Sequence, residues 1–309
     1  MEDRMTREPL ISVIMLTYNR ENLLSGMIES ILNQTLQDFE FIIVDNGSTD
    51  HSGNFAEQYA KEDKRIQVRH IEKSSIGKGR NIGLSLAKGE YVAFVDDDDT
   101  CDERYLETLY ELLCKNDADI AICGTDSKSY DVYMRLNAKE ALIHLLDRKY
   151  YNVGFPTKLI KRSLFTDCLF DEESKYDDIY LMPKIIGKAK TIIYHGLPYY
   201  IVNRHENNNS AWTTNHNLIT RETLEEYLNV YRKRTEWLID CFPEETSTWQ
   251  YYEWSFYISM VQKINTLNIN ACEDICKMMR QELYKNKSLF LESSKIRDFE
   301  IKWMGEFIE

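Results

Sequence analysis

Tyr91-Val92-Ala93-Phe94-Val95-Asp96-Asp97-Asp98-Asp99 joins an apolar run to four consecutive carboxylates. The apolar part reads as a buried strand, and buried strands do not normally end in adjacent like charges. Repulsion among four acids is severe unless something positive lies there, and a divalent cation is the usual partner of an all-oxygen cluster. On an extended backbone Asp96 and Asp98 share one face and Asp97 takes the other. Two carboxylates on one face, at the carboxyl end of a strand, are able to hold Mg²⁺ or Mn²⁺ together with a diphosphate. A solvated acidic loop is the plainer reading of such a run, and the apolar strand in front argues against it.

Working outward, the first half alternates strand and helix signals, which predicts an α/β layer fold with a mostly parallel central sheet flanked by helices. Strands are expected at Ile11 to Leu16, Phe39 to Val44, Ile66 to Ile71 and Ile120 to Cys123, with Ile192 to Tyr194 and Tyr199 to Val202 as two more. Asn19 is placed to cap the helix that follows it. Gly77 to Ala87 reads as a loop running into a short helix, and Glu103 to Lys115 and Tyr176 to Ile186 read as helices. In open α/β sheets ligands bind beyond the carboxyl ends of the strands. Thr17-Tyr18-Asn19, Asp45-Asn46-Gly47 and the four aspartates all fall at such ends, so they are expected to line one crevice.

The chain of 309 residues has room for one large domain plus an appendage. Its net charge of −13 leaves no basic excess for nucleic acid. No stretch is long enough to span a membrane, and the N-terminus does not read as a signal peptide. Seven cysteines without C-x-x-C spacing read as reduced thiols of a cytoplasmic protein. From about residue 215 the pattern turns helical and glycine disappears until Gly305. The expected division is therefore 1–214 and 215–309.

Taken in order, these motifs resemble the family-2 glycosyltransferases, whose GT-A fold binds nucleotide sugars. The segments concerned are Ser12 to Arg20, Gln34-Thr35, Val44 to Asp50, Gly77 to Gly83 and Gly89 to Asp99. An ordered series of this kind is far more specific than any one motif. The usual proline of the first segment is Leu16 here, and Asn46 stands where the family often has a second Asp. The resemblance implies a UDP-sugar donor bound with Mn²⁺ or Mg²⁺. Asp96 falls in the ribose and metal region with Asp97 beside it, and Asp98 falls on direct metal coordination. A uracil ring offers an N–H donor and carbonyl acceptors, which Asp45 or Asn46, with Arg80 nearby, would satisfy. Turn chemistry around Gly47 is the plainer account of Asp45 and Asn46.

Downstream, Phe170 to Asp178 resembles the segment holding the family's acidic pair. The resemblance puts the catalytic base of an inverting single displacement on Asp178, with Asp177 in place of a Glu. Acids favoured at a helix start are the alternative reading. Tyr200 to His205 resembles, in a loose register, a later segment in which His205 would complete the metal shell or Arg204 would hold the diphosphate. Lys158 sits where the family tends to have Asn-Lys.

Asp96-x-Asp98-x-Thr100 also fits a haloacid-dehalogenase-type phosphatase, with Asp96 as nucleophile. That motif normally ends a first strand, whereas about ninety residues precede it here, and it leaves the other segments without roles. A non-catalytic GT-A-like binding protein is the third reading. Without membrane spans or Gln-x-x-Arg-Trp, the resemblance implies non-processive hexosyl transfer to a glycan, lipid-linked glycan or glycoprotein acceptor. The C-terminal helices are expected to serve acceptor, peripheral membrane or homo-oligomer contacts, with the aromatic run Trp249 to Ile258 more simply read as core packed against the transferase domain.

Overall fold

The computed structural model describes residues 8–204 and 219–308. It divides into two compact units, Met1–Asn203 and Arg204–Glu309. The division expected at 214/215 lies outside the described residues.

In the first unit β1 (Ile11–Thr17), β2 (Phe39–Asp45), β3 (Ile66–His70) and β4 (Tyr91–Asp96) form a parallel block in the order β3-β2-β1-β4. Helices α1 (Leu24–Leu32), α2 (Ser52–Glu62) and α3 (Ile76–Leu86) connect them. β1 and β2 are buried along almost their whole length, as apolar strands covered on both faces are. Then come β5 (Thr100–Cys101), α4 (Tyr105–Asn116), β6 (Ile120–Thr125), β7 (Tyr133–Leu136), α5 (Ala138–Asp147), β8 (Lys158–Lys161), α6 (Asp177–Lys188) and β9 (Ile192–Ile201). Here the sheet becomes mixed: β8 runs antiparallel to β4 and β6, β6 is parallel to β9, and β5 and β7 are antiparallel to β9.

Ile11, Val13 and Met15 share one core cluster with Met27, Ile28 and Ile31 of α1 and Leu106 and Leu109 of α4. Phe94 instead packs edge-on against Phe155 and Phe170, with ring centroids 5.2 and 5.3 Å away. Ladder register pairs His70 with Asp45, Asp45 with Thr17, and Leu16 with Asp96. The polar tips therefore stand in a row along one edge, as the strand-end rule requires.

Four local expectations change. Ile192–Ile201 is one strand rather than two. Asn19 does not cap α1; it sits at φ 51°, and its side-chain oxygen accepts the Thr49 N–H at 2.8 Å. β4 ends at Asp96 and the chain turns, so strand alternation does not sort Asp97 from Asp98. Gly77 to Ala87 is helical almost throughout, with Ser75 capping by accepting the Lys78 N–H. The glycines serve close packing: a Cβ on Gly77 would lie 2.4 Å from the Asp171 carbonyl oxygen, and one on Gly79 2.3 Å from Leu16 Cδ1. Tertiary contact here overrides low helix propensity.

The second unit contains α7 (Arg221–Cys241), α8 (Thr246–Thr266), α9 (Glu273–Lys285), α10 (Lys287–Leu291) and α11 (Asp298–Phe307). The aromatic run lies in α8 and is mostly buried. Phe256 stacks on Tyr231 of α7 at 4.0 Å, and Tyr251 on Phe290 of α10 at 5.5 Å. Buried Glu300 of α11 accepts the hydroxyls of Tyr251 and Ser255 at 2.7 and 2.5 Å. The run is thus the core of its own unit. No described helix is long and apolar enough to cross a membrane.

Two glycine substitutions should act in opposite directions. Gly77→Ala forces a Cβ onto backbone and should destabilise the first unit by about 1–3 kcal/mol. Gly305→Ala, in α11 with nothing within 4 Å of the added carbon, should gain up to about 1 kcal/mol from helix propensity. Denaturant unfolding of each variant checks both signs.

Candidate active site

Arg80 of α3 joins the two acidic segments. Its Nη1 lies 3.4 Å from Asp177 Oδ2 and its Nη2 3.8 Å from Asp96 Oδ1. The guanidinium carbon also sits 5.5 Å from the Phe170 ring centroid and 6.0 Å from that of Phe155. An arginine held over aromatic faces with its fork toward carboxylates is strongly oriented. Its polar contacts are with these acids, not with Asp45 or Asn46. Arg20, just past β1, provides the second cation, with Nε 3.5 Å from Asp97 and Nη2 3.8 Å from Asp98.

Burial and mutual repulsion work on these acids against the two arginines. Surrounding protein raises the Asp96 carboxyl, Arg80 pulls it down, and Asp98 and Asp178 raise it further, while 47% of the side chain is still accessible. Burial lifts Asp97 to about 6 against the pull of Thr17 and Arg20. Burial and the charge of Asp96 lift Asp99 to about 7, although the Asn203 N–H and Tyr200 hydroxyl bond to it. Tyr200 also accepts the Asp96 N–H at 3.0 Å, which ties β4's end to β9.

The α6 acids are held by a side-chain staple. Asn81 of α3 donates to the Phe170 carbonyl and to Glu172, and accepts the Phe170 N–H, each at 3.0 Å. Asp177 then opens α6, accepting the Asp178 N–H at 2.9 Å. Burial raises Asp177 to about 6 while Arg80 lowers it. Asp178 is likewise raised by burial, against Arg80, nearby backbone N–H groups and Arg148. Lys158 is fully buried, donates to the Gly154 carbonyl at 2.5 Å and is lowered to about 7 by burial, while Cys123 and Asp178 pull the other way.

At the other end of the row, Asp45 and Asn46 are both buried. Asp45 accepts the Ser48 N–H at 3.0 Å and faces His70 Nδ1 at 2.8 Å. Asn46 donates to the Ser74 carbonyl and accepts from the Ser74 N–H and hydroxyl, all at 2.9 Å. Its amide thereby fastens the 72–75 segment, on which Lys73 lies 2.9 Å above the Tyr18 ring. The Asn19 N–H donates to Ser48 at 3.0 Å. Thr17 is buried at the end of β1.

Sequence reasoning gave no role to His70, Asn81 or Tyr200, or to Arg20 as a charge partner. The strand-end rule would have found His70, which closes β3; the other contacts are between residues far apart in sequence. Arg204 is exposed and opens the second unit, while His205 lies outside the described residues.

The acidic donor set suits a hard divalent cation, since all its donors are carboxylate oxygens. Asp96 and Asp98 would hold Mg²⁺ or Mn²⁺. Among the described residues no three His, Cys, Asp or Glu side chains form a closed metal cage, so the other positions would fall to diphosphate and water oxygens.

Residues 12–173 match the family described as Glycosyl transferase family 2. The chain belongs to that family. Glycosyltransferase GlyG of Streptococcus pneumoniae is 34% identical over 213 residues, which are 63% of this chain and 71% of that protein. Among solved structures, Staphylococcus aureus TarS 1–349 in complex with UDP-GlcNAc superposes with a TM-score of 0.62 at 20% identity, over 91% of this chain and 89% of that one. Mannosyltransferase PcManGT from Pyrobaculum calidifontis, in complex with GDP-Man and Mn²⁺, gives 0.60 at 16% identity, over 97% and 84%. At such identities the likeness is one of fold, the GT-A fold. Family membership decides against the phosphatase reading of Asp96.

Asp97, Asp99 and Asp177 all hold protons above the 3.8 of an ordinary Asp. The folded enzyme keeps protons that the unfolded chain has released. Their contribution to stability is therefore fully present below that value and is lost as pH rises through about 6 to 7. Asp99→Asn removes one such group, so its melting temperature relative to wild type should rise between pH 5 and pH 8. A difference that does not change with pH would show that Asp99 is not shifted.

Proposed function

We propose that this family-2 enzyme is an inverting, non-processive hexosyltransferase. It would move a hexose from a UDP-sugar to a hydroxyl of a glycan, lipid-linked glycan or glycoprotein in the cytoplasm, as in bacterial surface polysaccharide synthesis. The observation that carries this reading is the shared guanidinium. Arg80 reaches the strand-tip acid Asp96 and the helix-start acid Asp177, which supports a site in which a diphosphate near Asp96 and a base at Asp178 act together.

In this mechanism Asp178 accepts the proton of the acceptor hydroxyl as its oxygen bonds to the sugar C1. The C1–O bond to the diphosphate breaks, and its electrons leave with UDP. The raised Asp178 carboxyl makes the ionised form a better base than an ordinary Asp. A bound Mn²⁺ or Mg²⁺ would supply charge stabilisation to the diphosphate. Asp96 and Asp98 would hold that ion, and Arg20 and Arg80 would lessen the repulsion among the four aspartates. Tyr18, Asp45 and Asn46 would shape the nucleotide end. One base with one ion suits single displacement, hence inversion.

Calorimetry with UDP, with and without Mn²⁺, is expected to show metal-dependent binding, removed in large part by Asp98→Asn. Asp97→Asn should matter less, because the family resemblance puts direct metal coordination on Asp98, although both side chains are equally buried beside Arg20. Tighter binding of GDP than of UDP would overturn the donor assignment.

Asp178→Asn should lower turnover by roughly 10²–10⁴-fold, the range for a positioned general base, with UDP affinity almost unchanged. An α-linked donor sugar should appear as a β-linkage, readable from the anomeric proton coupling of a gluco- or galacto-configured product. Retention of configuration would rule out single displacement.

A further inference from the structure

We infer that His70 is a positioning residue of the donor-nucleotide site, holding the Asp45 carboxylate in the orientation that the base requires. The inference rests on the UDP-sugar reading above. His70 is the last residue of β3 and stands in register beside Asp45 at the end of β2. Its Nδ1 lies 2.8 Å from Asp45 Oδ2, and its Nε2 lies 3.1 Å from Glu57 of α2. The Ser48 N–H holds the other Asp45 oxygen at 3.0 Å. The carboxylate is therefore gripped from both ends.

Two further observations separate this from ordinary packing. The His70 side chain is half exposed while Asp45 is buried, so burial of the imidazole is not what keeps it there. The helix opposite is also cut back at that point. A Cβ on Gly53 of α2 would stand 2.5 Å from Asp45 Oδ2 and 3.0 Å from His70 Cε1. A carboxylate has about four acceptor positions. Ser48 and His70 each use one, which leaves acceptor capacity for the ring N–H of uracil. Cytosine presents an acceptor at the same ring position, so a correctly aimed Asp45 favours UDP over CDP.

The test uses the full chain with Mn²⁺, UDP and CDP, and compares His70→Gln, His70→Asn and Gly53→Ala. The Gln amide reaches the Nε2 position and keeps Glu57 company, but gives no donor to Asp45; the Asn amide stands where Nδ1 stood. His70→Gln should weaken UDP binding roughly tenfold, about 1.4 kcal/mol, with a much smaller change for CDP. The KM for the donor should rise while kcat holds, and His70→Asn should recover most of the loss. Gly53→Ala, crowding the same oxygen from the other side, should reproduce the selective loss without touching His70. Unchanged UDP affinity in His70→Gln, or equal losses for UDP and CDP in all three variants, would overturn the inference while leaving the donor reading intact. A wild-type chain that fails to bind UDP would overturn the donor reading itself.

Discussion

The ion pairs of Arg80 are the constraint on which the rest of the site depends. One guanidinium lies near Asp96 at the end of β4 and Asp177 at the start of α6, segments about eighty residues apart in sequence. Without it, the buried Asp177 and the half-exposed Asp96 would lose the cation they share, and a buried carboxylate left without its partner is costly. The phenylalanine cluster of Phe94, Phe155 and Phe170 makes the bridge possible. It fills the space beneath the guanidinium and fixes where the side chain points.

Around that bridge the close approach of α3 has one cause seen in several places. Gly77 and Gly79 let the helix backbone reach Asp171 and Leu16. Asn81 then binds the backbone of Phe170 from the same helix. The Gly- and Arg-Asn-containing segment is therefore a packing device that carries Arg80 to the acids. The nucleotide end is built by the same logic with other residues. Asn46 fastens the 72–75 segment, and Asp45 is fixed between Ser48 and His70. Both halves of the site thus rest on side chains that bind neighbouring backbone or charge before any substrate arrives.

Much of this was legible in the chain. The four leading strands were placed within a residue or two, since apolar runs of β-branched and aromatic residues have few alternatives at that length. The row of polar tips followed from the rule for strand ends. The strands β5, β7 and β8 and the helices α2 and α5 were not read, because short or half-polar segments owe their form to their neighbours. Gly77 to Ala87 was read as looser than it is, because glycine lowers helix propensity and the sequence does not display the partner that demands it. Asp96 to Asp98 do not alternate as strand positions, because β4 ends at Asp96.

The sequence by itself determined the alternating α/β order, the acidic strand tip, the helical C-terminal region and the ordered motifs of the family. These depend on local pattern, which a linear chain records directly. Only the tertiary structure decided which charges meet: Arg80 with Asp96 and Asp177, Arg20 with Asp97 and Asp98, His70 with Asp45 and Glu57. The aromatic run of α8 gained its partners Tyr231 and Phe290 in the same way. The physical reason is range. Hydrophobic period and backbone preference act over a few residues, whereas ion pairs and side-chain staples join residues brought together only when the sheet and its helices have packed.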